Sequence, residues 1–411
     1  MRSRPVRIAI VGGSAASTPA LFMTPELRSL APELDVTLIG RSQERLRAVR
    51  RAIDLLSGER IASRCATDLA DLRGADVVIL QARYGGYDAR ARDESFPLRH
   101  GLCGDEGLGP GGFAAAWRSW PELSRALEEI QTRAPRAKVL LMTAPLSLLV
   151  RCAISAFPSL DVVGICELPW VTLRTVCASL RAPVARAAFS YAGVNHLGWF
   201  DELSVDGTNL VSRYAATCDD ASFPTGPLIR ATKAIPLKYL SLHYEPDAAL
   251  RRQCAQPPRA TELASIQREA ITTFASSGRD EIAEALARRP TPWYSDSIAP
   301  YIGALAGLPA STVFFLSQRN DGYLPFLAAG DVLEQPFIFA DGVRTRMERR
   351  TNLAPRLLQT LEHFVRYERL AARAVLADRI GDCADVLAAH PWLDGRRVDL
   401  RALSADLLAA V

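Results

Sequence analysis

The chain has almost no lysine, no paired cysteines, no long apolar run and no strict glycine fingerprint, and each absence narrows what it can be. Its 49 basic residues, arginine with few exceptions, nearly balance 45 acidic ones for a net charge of +4. No concentrated basic face is in view, so nucleic acid is not an expected partner. The arginine is spread evenly and reads as genomic composition. The eight cysteines stand singly at 65, 103, 152, 166, 177, 218, 254 and 383, without a CxxC pair or disulfide-like spacing. Such usage fits a reducing compartment and a cytoplasmic location. Met1, Arg2 and Ser3 lead almost directly into an apolar strand, with no apolar stretch of about 7–15 residues and no small-residue cleavage site, so no secretory signal is expected. No run reaches the ~18 apolar residues that a bilayer span needs, and no membrane partner is expected.

What is present is the make-up of a soluble globular protein, 49% apolar and 23% charged, and its 411 residues exceed what one core usually organises. Two domains are expected, at 1–165 and 166–411. In the first, mostly apolar runs at 6–11, 35–39, 76–81, 138–143 and 161–165 alternate with helical patterns at 19–30, 42–56 and 113–133. Strands and helices in alternation predict an α/β fold, a Rossmann-type doubly wound parallel sheet. In the second, strands are expected at 184–198 and 202–211 with a turn at Asp206-Gly207, and again at 311–316 and 335–340. Helices are expected at 260–276, 280–288 and 354–377, which makes this half a mixed α+β domain with the cleft where it meets the first.

The segment Val11-Gly12-Gly13-Ser14-Ala15-Ala16-Ser17-Thr18-Pro19 is a strand end, a small-residue turn and a helix start. That sequence of elements lets a dinucleotide pyrophosphate approach the backbone and meet free N–H groups, although a plain strand-to-helix turn looks similar. Gly12, Gly13, Ser14 and Thr18 are the candidate cofactor contacts, and Arg83, just past the run 76–81, is counted with them. The second strand ends Ile39-Gly40-Arg41-Ser42, with no carboxylate for the ribose of NAD. Arg41 suits the 2′-phosphate of NADP, but it also suits stacking on adenine or facing solvent, so NAD and NADP both stand.

Further motifs follow in order: Gln81-Ala82-Arg83-Tyr84-Gly85-Gly86 with Arg90, Asp93 and Glu94; Gly104-Asp105-Glu106-Gly107 running to Gly112; Cys166-Glu167-Leu168-Pro169; Asn195-His196-Leu197-Gly198-Trp199; then Lys238-Tyr239 and Arg319-Asn320-Asp321-Gly322. In type and order they resemble the NAD- and divalent-metal-dependent family 4 glycoside hydrolases, the phospho-glucosidase and α-galactosidase group, over most of the chain. The resemblance implies a second domain like that of lactate and malate dehydrogenases. It also implies glycosidic cleavage by transient oxidation: hydride leaves C3 of the sugar for the nicotinamide, a base removes the C2 proton, the aglycone is eliminated, water adds, and the ketone is reduced again. A divalent metal, typically Mn2+, polarises the C2 and C3 oxygens. By the same resemblance Cys166 and His196 are metal ligands, Tyr239 is the base, and Arg90 and Glu106 meet substrate and metal. The substrate is then a sugar or glycoside, and the assembly a homodimer or homotetramer.

Read from the residues alone, Cys166 is also a plausible small core residue, His196 a structural histidine, and Arg90 part of a solvated charge run, while Tyr244 or His243 could replace Tyr239 as base. Three positions depart from the family pattern. Ala144 stands where an amide holds substrate, Glu167 follows the metal cysteine in place of Asn, and Asp105 replaces Gln. These changes keep a redox epimerase or dehydrogenase, and a non-catalytic nucleotide-binding protein, as alternatives.

Overall fold

A computed structural model describes residues 4–218, 223–310, 312–340, 342–349 and 353–411. Met1, Arg2, Ser3 and position 311, which enter the expectations above, lie outside them. Six short strands lead the chain: β1 (Val6–Val11), β2 (Leu34–Ile39), β3 (Ala62–Ala66), β4 (Val77–Leu80), β5 (Lys138–Leu141) and β6 (Asp161–Cys166). They lie parallel in the order 3-2-1-4-5-6, the doubly wound dinucleotide-binding topology. Their side chains alternate between two cores. Ala9, Val11, Val78 and Leu80 face one, and Ile8, Ile10, Val77 and Ile79 the other, so both faces are covered.

The predicted helix at 19–30 is two short ones, α1 (Thr18–Leu21) and α2 (Pro25–Leu30). Pro25 disfavours helical geometry at the residue before it, and Thr24 is extended with ψ 150°. The helix α3 (Gln43–Ser57) starts where Ser42 Oγ accepts from the Arg45 amide and ends at left-handed Gly58. Two helices follow β4: α4 (Gly86–Ser95) and α5 (Pro110–Arg133). Then α6 (Leu146–Ala156) and α7 (Leu168–Ser179) follow β5 and β6.

The second half gives one small antiparallel sheet of β7 (Ala187–Val194), β8 (Leu197–Val205), β9 (Thr208–Asn209) and β10 (Ile235–Pro236). It also gives β11 (Phe314–Arg319), β12 (Val332–Ala340) and β13 (Val343–Arg346), which extend the parallel sheet antiparallel from β6 to a total of nine strands. The expected strand 184–198 is therefore interrupted. Asn195 and His196 form a two-residue turn between β7 and β8, with Val194 paired to Leu197 and His196 left-handed at φ +66°. The expected turn at Asp206-Gly207 is present with both residues left-handed, but the chain beyond it becomes a helix at Leu210–Thr217, capped by the Asn209 side chain. Tyr191, Phe200 and Phe315 pack with ring centroids 5.0–5.9 Å apart and fasten the small sheet to the large one. Each such contact contributes about 0.5–1.5 kcal/mol beyond the area it buries, and together they fix the His196 turn over the end of β6.

Candidate active site

The C-terminal ends of β1, β4, β5 and β6 open into one cavity of about 620 Å3. This is where a doubly wound sheet reverses strand order and leaves room for a ligand. At one end lie Gly12, Ser14 and Ser17 from the first turn, with Arg41 at the rim. Gly12 has φ +88°, and a Cβ there would stand 2.7 Å from the Ala82 nitrogen, so only glycine fits. Two predicted cofactor residues, Gly13 and Thr18, lie behind this surface instead of lining it. The Gly13 amide donates to the carbonyls of Ile10 and Ile39 and shapes the turn. The Thr18 hydroxyl accepts from Gln81 Nε2 at 2.9 Å, and the Tyr294 hydroxyl donates to Gln81 Oε1 at 2.7 Å. This buried lock braces the turn from below.

At the other end Arg83, Arg90, Glu106, Cys166, Glu167, His196 and Tyr239 come together from widely separated segments. Glu106 bonds Arg83 and, at 2.8 Å, Arg90, whose Nε meets Glu94 at 2.6 Å. Arg90 is thus clamped between two carboxylates and is no part of a solvated charge run. Burial pushes the Glu106 carboxyl up, but the two guanidiniums outweigh it and hold it below the usual range. Arg83, expected on the cofactor, faces Glu106 and lies over the Tyr87 ring, 5.4 Å from its centroid. The Asp105 carboxylate accepts from the Gly107 and Leu108 amides, and burial lifts it to about 6.

His196 stacks on Tyr239, ring centroids 4.2 Å apart and 3° from parallel. Burial lowers the imidazole to about 4, so it is neutral near pH 7, and its shielded Nδ1 has no hydrogen-bond partner. A neutral imidazole on a residue that lines the cavity, with one nitrogen left without a partner, fits a metal ligand. Burial, then Glu167, push the Cys166 thiol well above its ordinary value. A cation is what would favour its thiolate. The thiol meets Glu167 at 3.8 Å. Among the described residues no group of three or more His, Cys, Asp and Glu converges on one point. Any metal here rests on two protein donors, with the remaining positions open to substrate oxygens.

Burial and Asp105 push the Tyr239 phenol up, so it rests protonated. Tyr244 and His243, the alternatives to it, do not line the cavity; Tyr244 accepts from Trp199 Nε1 at 3.1 Å and His243 packs on Phe364. The sequence reading missed Glu334 of β12. It is fully buried and accepts from the Tyr191 hydroxyl and from Asn195 Nδ2 at 3.2 Å. Burial raises it to about 8. Gly198 makes this possible, since a Cβ there would be 2.2 Å from the Tyr191 oxygen. Also missed was Arg289 at the cavity mouth, which lies over the Trp293 ring and donates to the Tyr87 hydroxyl at 2.8 Å.

Residues 7–181 match the family 4 glycosyl hydrolase domain, and residues 191–393 match the C-terminal domain of that family. A 6-phospho-beta-glucosidase of Thermotoga maritima is 25% identical over 399 residues, 94% of each chain. The solved structure of the Thermotoga maritima 6-phospho-beta glucosidase with manganese, NAD+ and glucose-6-phosphate is similar at a TM-score of 0.87 and 23% identity, covering 98% of both chains. A lactate dehydrogenase from Eimeria maxima, solved with NADH and oxamate, reaches 0.51 at 16% identity over 92% of this chain and 97% of its own. That likeness is one of fold, and it agrees with a Rossmann domain followed by an α+β domain.

Proposed function

Because the chain belongs to glycosyl hydrolase family 4 and is a glycoside hydrolase, we propose that the cavity at the ends of β1, β4, β5 and β6 cleaves a sugar glycoside with a nicotinamide dinucleotide at one end and a divalent metal at the other. One observation carries the reading: the glycine turn of β1 and the Cys166/His196 pair line the same cavity. When bound, the dinucleotide supplies a hydride acceptor for C3 of the sugar and the metal polarises the C2 and C3 oxygens. The manganese and NAD+ held by the Thermotoga maritima relative support both assignments.

The chain's own residues divide the remaining work. Gly12, whose own N–H donates to the Ile39 carbonyl, leaves room for the pyrophosphate, and Ser14 and Ser17 present backbone N–H groups and small side chains to it. Cys166 and His196 hold the metal. Tyr239, stacked on His196, receives the C2 proton once cationic neighbours lower its phenol, and returns it when water adds. Arg90, fixed by Glu94 and Glu106, orients the sugar hydroxyls. The glucose-6-phosphate in that relative supports a sugar phosphate as one substrate class to test.

We assign the nucleotide chiefly to residues up to 165, and metal and substrate chiefly to 166–411; Arg90 and Glu106 reach across, and the shared nine-stranded sheet couples the halves. A cytoplasmic location is supported by the free cysteines, and we extend the proposal to a homodimer or homotetramer, which light scattering checks. Among the described residues no helix is long and apolar enough to cross a membrane. The deciding experiment supplies Mn2+, dinucleotide and a panel of phosphorylated and unphosphorylated aryl glycosides in deuterated water. Aglycone release with deuterium at C2 is expected; release without exchange, or no release across the panel, refutes the mechanism.

A further inference from the structure

We infer that the adenosine end of the cavity is built for a 2′-phosphate, so that NADP+ binds in preference to NAD+; this rests on the dinucleotide reading above. At the end of β2, where a carboxylate would pair with the ribose 2′- and 3′-hydroxyls of NAD, the chain has Gly40 and then Arg41. Arg41 lines the cavity, is exposed to incoming ligand, and has no carboxylate partner among the described residues. One helical turn on, Arg45 lines the same wall, and its Nε is shielded from solvent without a hydrogen-bond partner. A buried guanidinium nitrogen left unbonded costs free energy until an acceptor arrives.

A third guanidinium, Arg125 from α5, also lines the cavity, together with Glu122, which it meets at 3.0 Å. These groups share one neighbourhood, since Arg41, Arg125 and Glu122 all act on the Tyr84 phenol. Among the described residues Glu122 is the one carboxylate that lines this end, and it already has a cation. Asp68, just beyond Thr67, is turned to the Ala70 amide at 2.7 Å. The wall therefore carries two positive charges in excess, on planar forks that suit phosphate oxygens. A ribose with free hydroxyls offers these cations nothing; a phosphomonoester dianion matches them in charge and in acceptors.

The test is calorimetric binding to the intact protein, with no turnover required. NADP+ is expected to bind at least tenfold more tightly than NAD+, and 2′,5′-ADP at least tenfold more tightly than 5′-AMP. The NADP+ to NAD+ affinity ratio is expected to fall tenfold or more in Arg41→Ala and further in the Arg41→Ala/Arg45→Ala double variant. Equal affinities, or tighter NAD+, overturn the inference and leave the dinucleotide reading standing. A preference that survives in the double variant overturns the assignment to these arginines. Failure of both dinucleotides to bind overturns the reading of the cavity itself. The wild-type comparison needs no variant, so poor folding of a mutant does not spare the proposal.

Discussion

His390 lies far from the cavity in sequence but is tied to the loop that carries Glu106. It is fully buried, with Nε2 2.9 Å from the Leu108 carbonyl and Nδ1 accepting from the Trp392 amide at 3.1 Å. That pairing demands the neutral ring protonated on Nε2, since an imidazolium would turn Nδ1 from acceptor to donor. Burial lowers the group to about 4, against the lift from the Leu108 bond. The unfolded chain titrates near ~6.5, so between the two values it holds more protons than the native state. Stability from this group is complete above ~6.5 and is lost as pH falls towards the native value. The loss amounts to about 2 kcal/mol at about pH 4.5. His390→Gln keeps an N–H donor for Leu108 and removes the titration. Denaturant midpoints measured from about pH 7.5 to about pH 4.5 are expected to fall more steeply in the wild type, by that ~2 kcal/mol, while carboxylates common to both proteins cancel. Parallel profiles would refute the argument. His390→Phe leaves the Leu108 carbonyl unpaired, and faster hydrogen exchange at the Gly107 and Leu108 amides is expected there but not in the Gln variant.

Gly12→Ala must place its Cβ against the Ala82 backbone at positive φ, at a strain of about 1–3 kcal/mol; calorimetry is expected to find dinucleotide binding abolished, and normal affinity would remove the turn from the site. Tyr239→Phe is expected to lower kcat by ~10²–10⁴ while ligand affinity changes little; persistent deuterium exchange at C2 would hand the proton to another base. Glu334→Leu leaves Asn195 and Tyr191 unpaired beneath the His196 turn and is expected to weaken Mn2+ binding by about 10–100-fold, with Glu334→Gln close to wild type. Equal Mn2+ affinity in the two variants would make Glu334 purely structural.

The parallel sheet was legible because its strands are apolar runs and its helices carry local punctuation, such as Ser42 before α3. β3 was not, because as a half-exposed edge it reads Ala-Ser-Arg-Cys-Ala and shows no apolar run. The Asn195-His196 turn hid inside a stretch of otherwise buried residues, and nothing local marks His196 as left-handed; it is held there by the pairing of β7 with β8. That β11 would join β6 was also invisible, since pairing between residues so distant in the chain depends on the assembled core. At the site, the residues around the cavity were found by motif order. The bonds that brace the site, between Gln81 and Tyr294 at the wall and from Glu334 behind it, carry no local sign. A lone Glu in Val-Leu-Glu-Gln-Pro-Phe looks like the solvent side of a strand, yet it is fully buried.

The three departures from the family pattern separate once their surroundings are known. Asp105 is structural, because its carboxylate is spent on the Gly107 and Leu108 amides and holds the loop that presents Glu106. Ala144 changes shape: beside it lies a recess of about 50 Å3 bounded by Thr143, Arg83, Arg90, Arg118 and Glu106. A recess of that size and polarity admits an ordered water, which can return to the sugar the hydrogen bonds that a side-chain amide would make. Glu167 changes charge. Arg83 and Arg90 are committed to Glu106, so Glu167 stands at the cavity wall with the Cys166 thiol, 3.8 Å away, as its one side-chain hydrogen-bond partner among the described residues. It does not converge with Cys166 and His196 into a three-residue site. Its effect is therefore exerted through the field: it favours a cation in the cavity and opposes a second anion near Cys166. A phosphate on the sugar would have to lie away from Glu167, towards Arg289 at the mouth, whose guanidinium donates to the Tyr87 hydroxyl and meets no carboxylate among the described residues. Phosphorylated and unphosphorylated glycosides should thus differ in KM when Arg289 is replaced by Ala, and the phosphorylated ones alone should lose.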